Sequence, residues 1–180
     1  MISFCLNCFI KWTIDTAHSE VTFKVKHLMI STVTGKFKTF EGSLESEGEG
    51  FDHLKDIVFK ADIDSIDTNN EQRDEHLRSS DFFANDEHPK LTFKASKFDV
   101  TNDKLEGELT IRDITKPITL DVEFGGVVVD PYGQTKAGLS VDGKISRKEF
   151  GLTWHGVTEA GSVVVSDQVK LNLEVQFIKA

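Results

Sequence analysis

Apolar and polar residues alternate with period two along most of this chain, which is the pattern of β-strands buried on one face. We predict eight such strands, and their inward positions lie within 21–29, 35–44, 57–63, 91–95, 105–111, 118–124, 137–145 and 171–177. Each run is apolar on one face only, whereas strands of a parallel sheet are apolar on both. The sequence therefore predicts an all-β fold with antiparallel strands.

Eight antiparallel strands form either a sandwich or a closed barrel, and three features favour the barrel. The strands are long, their connections follow one another as hairpins, and Gly107 and Gly143 fall on the inward face. Glycine at such a position either permits a sharp strand bend or leaves space for another group. We predict an eight-stranded antiparallel β-barrel.

The alternation has one long interruption, from Ser65 to Pro89. Thr68 and Glu71 have the spacing of a capping box, and His88-Pro89 stops a helix. This predicts one inserted helix of about three turns, around residues 68–80. The apolar residues Leu77, Phe82 and Phe83 leave two roles open for it, a connector or a lid over a cavity.

The aromatic composition is skewed, with 14 Phe against one Tyr and two Trp. Phe carries bulk without a hydrogen-bonding group, so this composition indicates either a dry core or an apolar pocket. The formal net charge of −9 opposes binding to the phosphate backbone of nucleic acids, and we exclude nucleic acid as a partner.

Residues 1–11 read as an N-terminal tail, either a leader remnant or a misassigned start, before a barrel domain at 12–180. They lack a basic n-region and a small-residue cleavage site. Cys5 and Cys8 lie in this tail without the strand and helix of a redox motif or a second ligand pair for zinc. We interpret them as an incidental pair.

Catalytic signatures are missing from the sequence. It contains no nucleophile elbow, no P-loop and no dinucleotide-binding fingerprint, and its six His residues form no metal-binding pattern. We assign no catalytic residue and no metal ligand, and an enzyme acting on a lipid remains the alternative class.

Two polar residues fall on inward positions among apolar neighbours. His27 either hydrogen-bonds a ligand's oxygenated end or is satisfied by backbone near the barrel rim. Arg147 is expected to pair with an acid or to stack on Trp12 or Trp154, because burial of an unpaired guanidinium is costly.

Several stretches together resemble the YceI-like family of polyisoprenoid-binding proteins, over about Lys11 to Ala180. They are Trp12–Asp15, His18–Ser19, Phe23–Leu28, Gly35–Phe37, Ser65–Thr68, Arg73–Asp74, His76–Leu77, Ser80–Phe83, Pro89, Phe93, Leu109–Arg112, Thr115–Pro117 and Arg147–Gly151. One departure is Asp113, where the family more often has Gly after the Arg.

The resemblance implies a lipocalin-like barrel that binds, sequesters or transports a long-chain isoprenoid, such as an isoprenoid quinone, or a similar amphiphile. No cofactor is expected beyond that bound lipid. A homodimer and transient membrane contact are compatible with it. Family members are mostly exported with a cleaved leader, and leaderless ones exist, so periplasm and cytoplasm both stay open for this chain. A stress-related interaction protein is a further alternative.

The candidate ligand-binding residues are the inward-facing side chains of these strands, for each of which core packing is the alternative. They are Phe23, Val25, His27, Met29, Phe37, Phe59, Ile63, Phe93, Leu109, Leu120, Val122, Leu139, Val141, Leu173 and Val175.

Overall fold

A computed structural model describes residues 8–156, 159 and 164–180. Cys8 is exposed with a free thiol, and Cys5 lies outside the described residues. The strands are β1 (Phe9–Ile14), β2 (Glu20–His27), β3 (Ser31–Phe37), β4 (Phe40–Glu47), β5 (His53–Asp62), β6 (Ile66–Asp67), β7 (Lys90–Asp99), β8 (Lys104–Ile111), β9 (Ile114–Val129), β10 (Thr135–Ser146) and β11 (Val165–Lys179). One α-helix, α1, spans Glu71–Arg78, and 3₁₀ turns occupy Thr16–His18, Ile63–Ser65 and Arg147–Phe150.

The sheet closes on itself, in the order β1-β4-β5-β7-β8-β9-β10-β11 with β11 returning to β1. All of these pairings are antiparallel, and Ile14 opposite Phe177 lies at the point of closure. The predicted eight-stranded antiparallel barrel is therefore confirmed, and the sandwich is excluded.

Interrupted strands reconcile the eleven observed strands with the eight predicted runs. β1 and β2 lie end to end along β11, with the turn at Thr16–His18 between them. β3 pairs with β2, and β4 pairs with β1, so these two also follow one another. The short β6 adds only a brief pairing to β3. The sheet begins at Phe9, three residues before the start predicted for the barrel domain.

The helix is shorter than the predicted 68–80, and its predicted cap is wrong. Asn70, not Thr68, caps it, because the Asn70 side chain accepts the Arg73 N–H. The Thr68 hydroxyl instead donates to the buried carboxylate of Asp74 at 2.5 Å, and its backbone N–H donates to the same oxygen. Within the described residues, no helix combines the length and hydropathy needed to cross a bilayer.

Aromatic side chains fill one end of the barrel, which we call the Trp12 end. The ring of Phe51 lies 4.8 Å from that of Trp12 in an edge contact and 5.7 Å from that of Phe124 in a stack. The Trp12 indole N–H donates to the buried Ser46 hydroxyl at 2.9 Å, so the polar atom of this ring is satisfied. The opposite end carries α1, the β2–β3 turn and the β8–β9 turn, and we call it the α1 end.

The two inward glycines make room for neighbouring side chains. A Cβ on Gly143 would lie 2.4 Å from Leu120 Cδ2, and one on Gly107 would lie 2.4 Å from Phe93 Cζ. The space that the sequence indicated at these positions is thus occupied by Leu120 and Phe93.

A charged cluster fastens the β1–β2 turn to the start of β10. Lys136 Nζ lies 3.0 Å from the Asp15 carboxylate and 3.5 Å from that of Asp130, and His18 contacts Asp15 at 2.8 Å. Burial raises the pKa of Asp15, but the hydrogen bonds from Lys136 and His18 outweigh it, so the pKa lies below its usual 3.8. The charged form of Asp15 is therefore favoured by folding.

This cluster predicts an acid limit to stability. Because the folded-state pKa of Asp15 is lowered, its contribution is complete above about pH 5 and is lost as the pH falls through the unfolded value towards the folded one. Lys136→Gln removes the counter-charge, so we expect a lower melting temperature and acid unfolding that begins at higher pH, measured by circular dichroism.

The matched control is Lys104→Gln, which breaks the exposed ion pair with Asp121. An exposed pair contributes little, so this variant should keep the wild-type pH profile. Equal pH profiles for Lys136→Gln and wild type would contradict the role assigned to the cluster.

Candidate functional site

A cavity of about 210 Å³ runs along the inside of the barrel. Among the described residues, no polar atom is exposed to it, and Thr22 and Arg147 are the only polar residues in its wall. The remaining wall consists of Phe, Leu, Ile and Val side chains from the inward faces of the strands, joined by Leu77, Phe82 and Phe83 from the α1 region. Such a space suits a hydrocarbon and offers water no partner.

Twelve of the fifteen candidate ligand-binding residues line this cavity. They are Phe23, Val25, Phe37, Phe59, Phe93, Leu109, Leu120, Val122, Leu139, Val141, Leu173 and Val175. Their contact with a ligand stays a prediction, but their placement in the wall follows from the closure of the sheet.

Three candidates do not line the cavity. Met29 is 62% exposed, because the strand ends at His27 and Met29 lies in the turn that follows. His27 itself is partly exposed at the rim, next to that turn. Ile63 is buried, but it belongs to the 3₁₀ turn after β5 and packs outside the cavity wall.

Other wall residues were absent from the candidate set. Val165 and Val169 were missed because β11 starts at Val165, six residues before the first inward position predicted for that strand. Leu105, Ile111, Ile118 and Leu171 have the inward alternation that could have identified them. Leu152 follows a 3₁₀ turn and carries no periodic signal.

The two ends of the cavity differ in accessibility. Wall residues towards the Trp12 end are at least nine-tenths buried, including Leu44, Leu54 and Phe177. Several wall residues towards the α1 end are only partly buried, among them Phe23, Val25, Leu77, Phe83, Val165 and Val169, whereas Phe82, Arg147 and Leu152 at that end are buried. This difference places the mouth of the cavity at the α1 end, between α1 and the β2 and β11 strands.

The α1 region covers part of this mouth. Its Phe83 ring lies 6.4 Å from Phe37 in the barrel wall, and Phe82 lies 5.4 Å from Trp154. The buried hydrogen bonds from Thr68 to Asp74 hold the helix start against the end of β6. Of the two roles left open by the sequence, this arrangement matches the covering one.

Arg147 supports the other side of the mouth in a way that differs from the prediction. Among the described residues, its guanidinium pairs with no acid and stacks on no aromatic ring, and it donates instead to four backbone carbonyls. Nε donates to Ser166 at 2.9 Å, Nη1 donates to Leu152 and Trp154 at 2.5 and 2.7 Å, and Nη2 donates to Val165 at 3.3 Å. Burial lowers the pKa of Arg147, and the charge of Asp167 opposes that shift.

These four bonds tie the segment after β10 to the start of β11. The side chain is only 3% exposed, so its donors would be costly to leave unpaired. The pKa of Asp167 is lowered by the Ser146 hydroxyl and the Lys148 N–H, which bond to its carboxylate. Arg147 is thus a structural residue of the cavity mouth.

No group of three or more His, Cys, Asp or Glu side chains within the described ranges is arranged to hold a metal ion. The cavity wall there contains no carboxylate, imidazole or thiol. The site as built can enclose an apolar molecule.

A closed antiparallel barrel around an apolar cavity defines a lipocalin-like class of binding fold. The YceI-like domain family matches residues 12–177, and this chain belongs to that family. A UPF0312 protein of Staphylococcus aureus strain N315 is 40% identical over 167 residues, covering 92% of this chain and 96% of the relative.

Solved structures show the same fold. The YceI protein of Campylobacter jejuni is 34% identical with a TM-score of 0.72, over 85% of this chain and 88% of that one. A polyisoprenoid-binding domain of Saccharophagus degradans has a TM-score of 0.64 over 94% and 98%, and at 14% identity this likeness concerns the fold alone.

The Arg147 contacts predict a large loss of stability on a conservative change. Arg147→Lys keeps the charge but cannot reach four carbonyls in this forked geometry. We expect a decrease of about 3 kcal/mol in the free energy of unfolding, measured in urea.

Arg112→Lys is the control, because Arg112 donates a single 3.2 Å bond to the Gly151 carbonyl and is only partly buried. It should lose less than about 1 kcal/mol. Equal losses in the two variants would refute the anchoring role of Arg147.

Proposed function

We propose that this protein binds a long-chain isoprenoid, or a similar amphiphilic lipid, in its barrel cavity and carries or sequesters it without chemical change. The observation that carries the proposal is the wholly apolar surface that the wall presents to the cavity. The polyisoprenoid-binding domain with the same fold supports this choice of ligand.

The energetics favour a hydrocarbon tail. Burial of one methylene contributes about 0.8 kcal/mol, so ten buried carbons contribute roughly 8 kcal/mol before the cost of association. No polar contact along the tail is needed for this. The wall matches the need, because its aliphatic and phenyl groups exclude water along the whole bore.

The size of the cavity limits how much of the ligand is enclosed. Its 210 Å³ is below the roughly 300–1,000 Å³ of typical ligand pockets. A long isoprenoid therefore either displaces wall side chains or leaves its polar head and part of its tail outside the mouth. The second arrangement keeps the head hydrated and only the tail buried, which avoids the cost of burying polar atoms.

A carrier role is favoured over catalysis by the chemistry of the wall. General acid–base or nucleophilic catalysis needs a titratable or nucleophilic group within reach of the reacting atoms. The polar groups of the two polar wall residues are not exposed to the cavity, and Arg147 already has four carbonyl partners. This supports binding as the function.

Native mass spectrometry of freshly purified protein tests the proposal. We expect a co-purifying lipid of isoprenoid type, released unchanged on denaturation. Val122→Phe adds bulk to a wall residue that is 7% exposed and should at least halve the lipid-bound fraction while the barrel stays folded.

Glu123→Phe is the matched control, because the next side chain along β9 points outward and is exposed. It should keep the wild-type lipid content. An empty wild-type protein that binds no added isoprenoid alcohol, or a lipid recovered as a reaction product, would overturn the proposal.

A further inference from the structure

The β2–β3 turn places apolar side chains in solvent beside the cavity mouth. Met29 is 62% exposed and Ile30 is 83% exposed, and neither packs on the barrel core. The turn continues directly from the wall residues Phe23 and Val25 of β2. We call the segment Leu28–Ile30 the apolar tip.

The backbone conformation of the tip is unfavourable for the residue types that occupy it. Leu28 has φ 51° and Met29 has φ 59°, both in the left-handed region, and the Ile30 N–H donates to the His27 carbonyl at 3.2 Å. Two positive φ values are typical of a type I′ turn, where Asn and Gly are the favoured residues. Leu and Met are strained there, so folding alone does not explain these side chains.

A row of lysines lies on the outer face of the barrel next to the tip. Lys24 on β2 is directly opposite Lys170 on β11, and Lys170 is directly opposite Lys144 on β10. All three side chains are exposed. Like charges in directly opposed positions repel one another, so this arrangement also costs stability.

These lysines lack acidic partners in the part of the chain that the structure describes. Lys24, Lys144 and Lys170 form no salt bridge there, and the ammonium group of Lys26, closer to the tip, donates to the Thr32 hydroxyl at 3.0 Å and forms no salt bridge there either. The chain as a whole carries nine net negative charges. The stretch from 21 to 38 contains four Lys and no Asp or Glu, so the sign of its charge is opposite to that of the whole chain. On this outer face Asp142, Glu174 and Glu20 lie further towards the Trp12 end, and Asp167, which accepts from the Ser146 hydroxyl and the Lys148 N–H, lies on the side of the α1 end.

We propose that the apolar tip and the side chains of Lys24, Lys26, Lys144 and Lys170 form a docking surface for a bilayer that contains anionic phospholipids. Met29 and Ile30 insert between head groups, and Lys24, Lys26, Lys144 and Lys170 contact the phosphates. The β2–β3 side of the cavity mouth then lies nearest the membrane, and the exposed acids of the α1 region, such as Glu71, Glu75 and Asp81, lie on the other side. Docking in this orientation gives the lipid a route between the bilayer and the cavity. This purpose of the docking surface rests on the proposed function.

Charge complementarity favours a bilayer over other partners. A nucleic acid would use the lysines but leave Met29 and Ile30 in water. A second copy of this chain would bring the same lysine row against itself, because a two-fold contact is self-complementary. An anionic bilayer satisfies both the cations and the apolar tip.

Flotation with phospholipid vesicles tests the surface. We expect the wild-type protein to bind vesicles of equal parts phosphatidylglycerol and phosphatidylcholine, and to bind pure phosphatidylcholine far more weakly. Met29→Asn combined with Ile30→Thr should lower the partition coefficient at least about tenfold. Lys144→Gln combined with Lys170→Gln should lower it by roughly fivefold per lysine, and added salt should reproduce that loss.

The same variants should be as stable as wild type or more so. Asn accepts the left-handed conformation at position 29, and removal of two lysines relieves repulsion across β10, β11 and β2. Loss of vesicle binding with an unchanged or higher melting temperature separates docking from folding.

The control is Val128→Thr combined with Val129→Thr, at side chains that are 65% and 67% exposed in β9 at the Trp12 end. This variant should bind vesicles like wild type. The proposal would be overturned if this control variant and the tip variant lost vesicle binding equally, or if the wild-type protein bound no vesicles. A wild-type dimer that dissociates in the tip variant would also overturn it. The Val122→Phe variant should still dock, so a failure of lipid retention is distinguishable from a failure of docking.

Discussion

Hydrogen bonding between β1 and β11 closes the sheet, and the rest of the structure depends on this pairing. It is short, with Trp12, Thr13 and Ile14 opposite Lys179, Ile178 and Phe177. Closure leaves no free edge along the barrel at this seam and turns one face of every strand towards a common axis. The alternation of side chains then defines the cavity wall without any further device.

The side chains of this closed barrel do not fill its interior completely. At roughly 24 cal/mol for each Å³ of empty space, a cavity of 210 Å³ costs on the order of 5 kcal/mol. That is comparable with the whole net stability of many domains. The Trp12 end shows that this chain can pack aromatic rings densely, so the cavity along the rest of the barrel interior is a specific property of the inner wall. A hydrocarbon tail would fill it and recover the lost contacts.

Local pattern predicted the strands well and the ends of elements poorly. The inward position of Leu120 or Val141 depends only on strand parity, which closure preserves. Met29 and Ile63 were misplaced because a turn begins just before each of them, and parity has no meaning beyond a strand end. The Thr68 cap was wrong because a buried Asp74 recruits that hydroxyl, a contact between side chains that a capping pattern does not contain.

Tertiary contacts account for the remaining surprises at the mouth. Arg147 was correctly expected to need partners, but its four carbonyls belong to two later segments, at 152–154 and 165–166, that no sequence pattern brings together. The lysine row is likewise invisible in sequence, since Lys24, Lys144 and Lys170 meet only through strand register. Sequence pattern thus predicted the wall, whereas the mouth required the fold.

Methyl NMR during titration with geranylgeraniol, an isoprenoid alcohol, tests the central claim most directly. With isotope-labelled Leu and Val methyl groups, we expect nuclear Overhauser contacts from the isoprenoid chain to Leu120, Val122 and Val141 inside the barrel. The exposed Val127, Val128 and Val129 provide an internal reference and should show none. Contacts confined to those outer valines, or no contacts at saturating alcohol, would contradict a lipid-binding cavity.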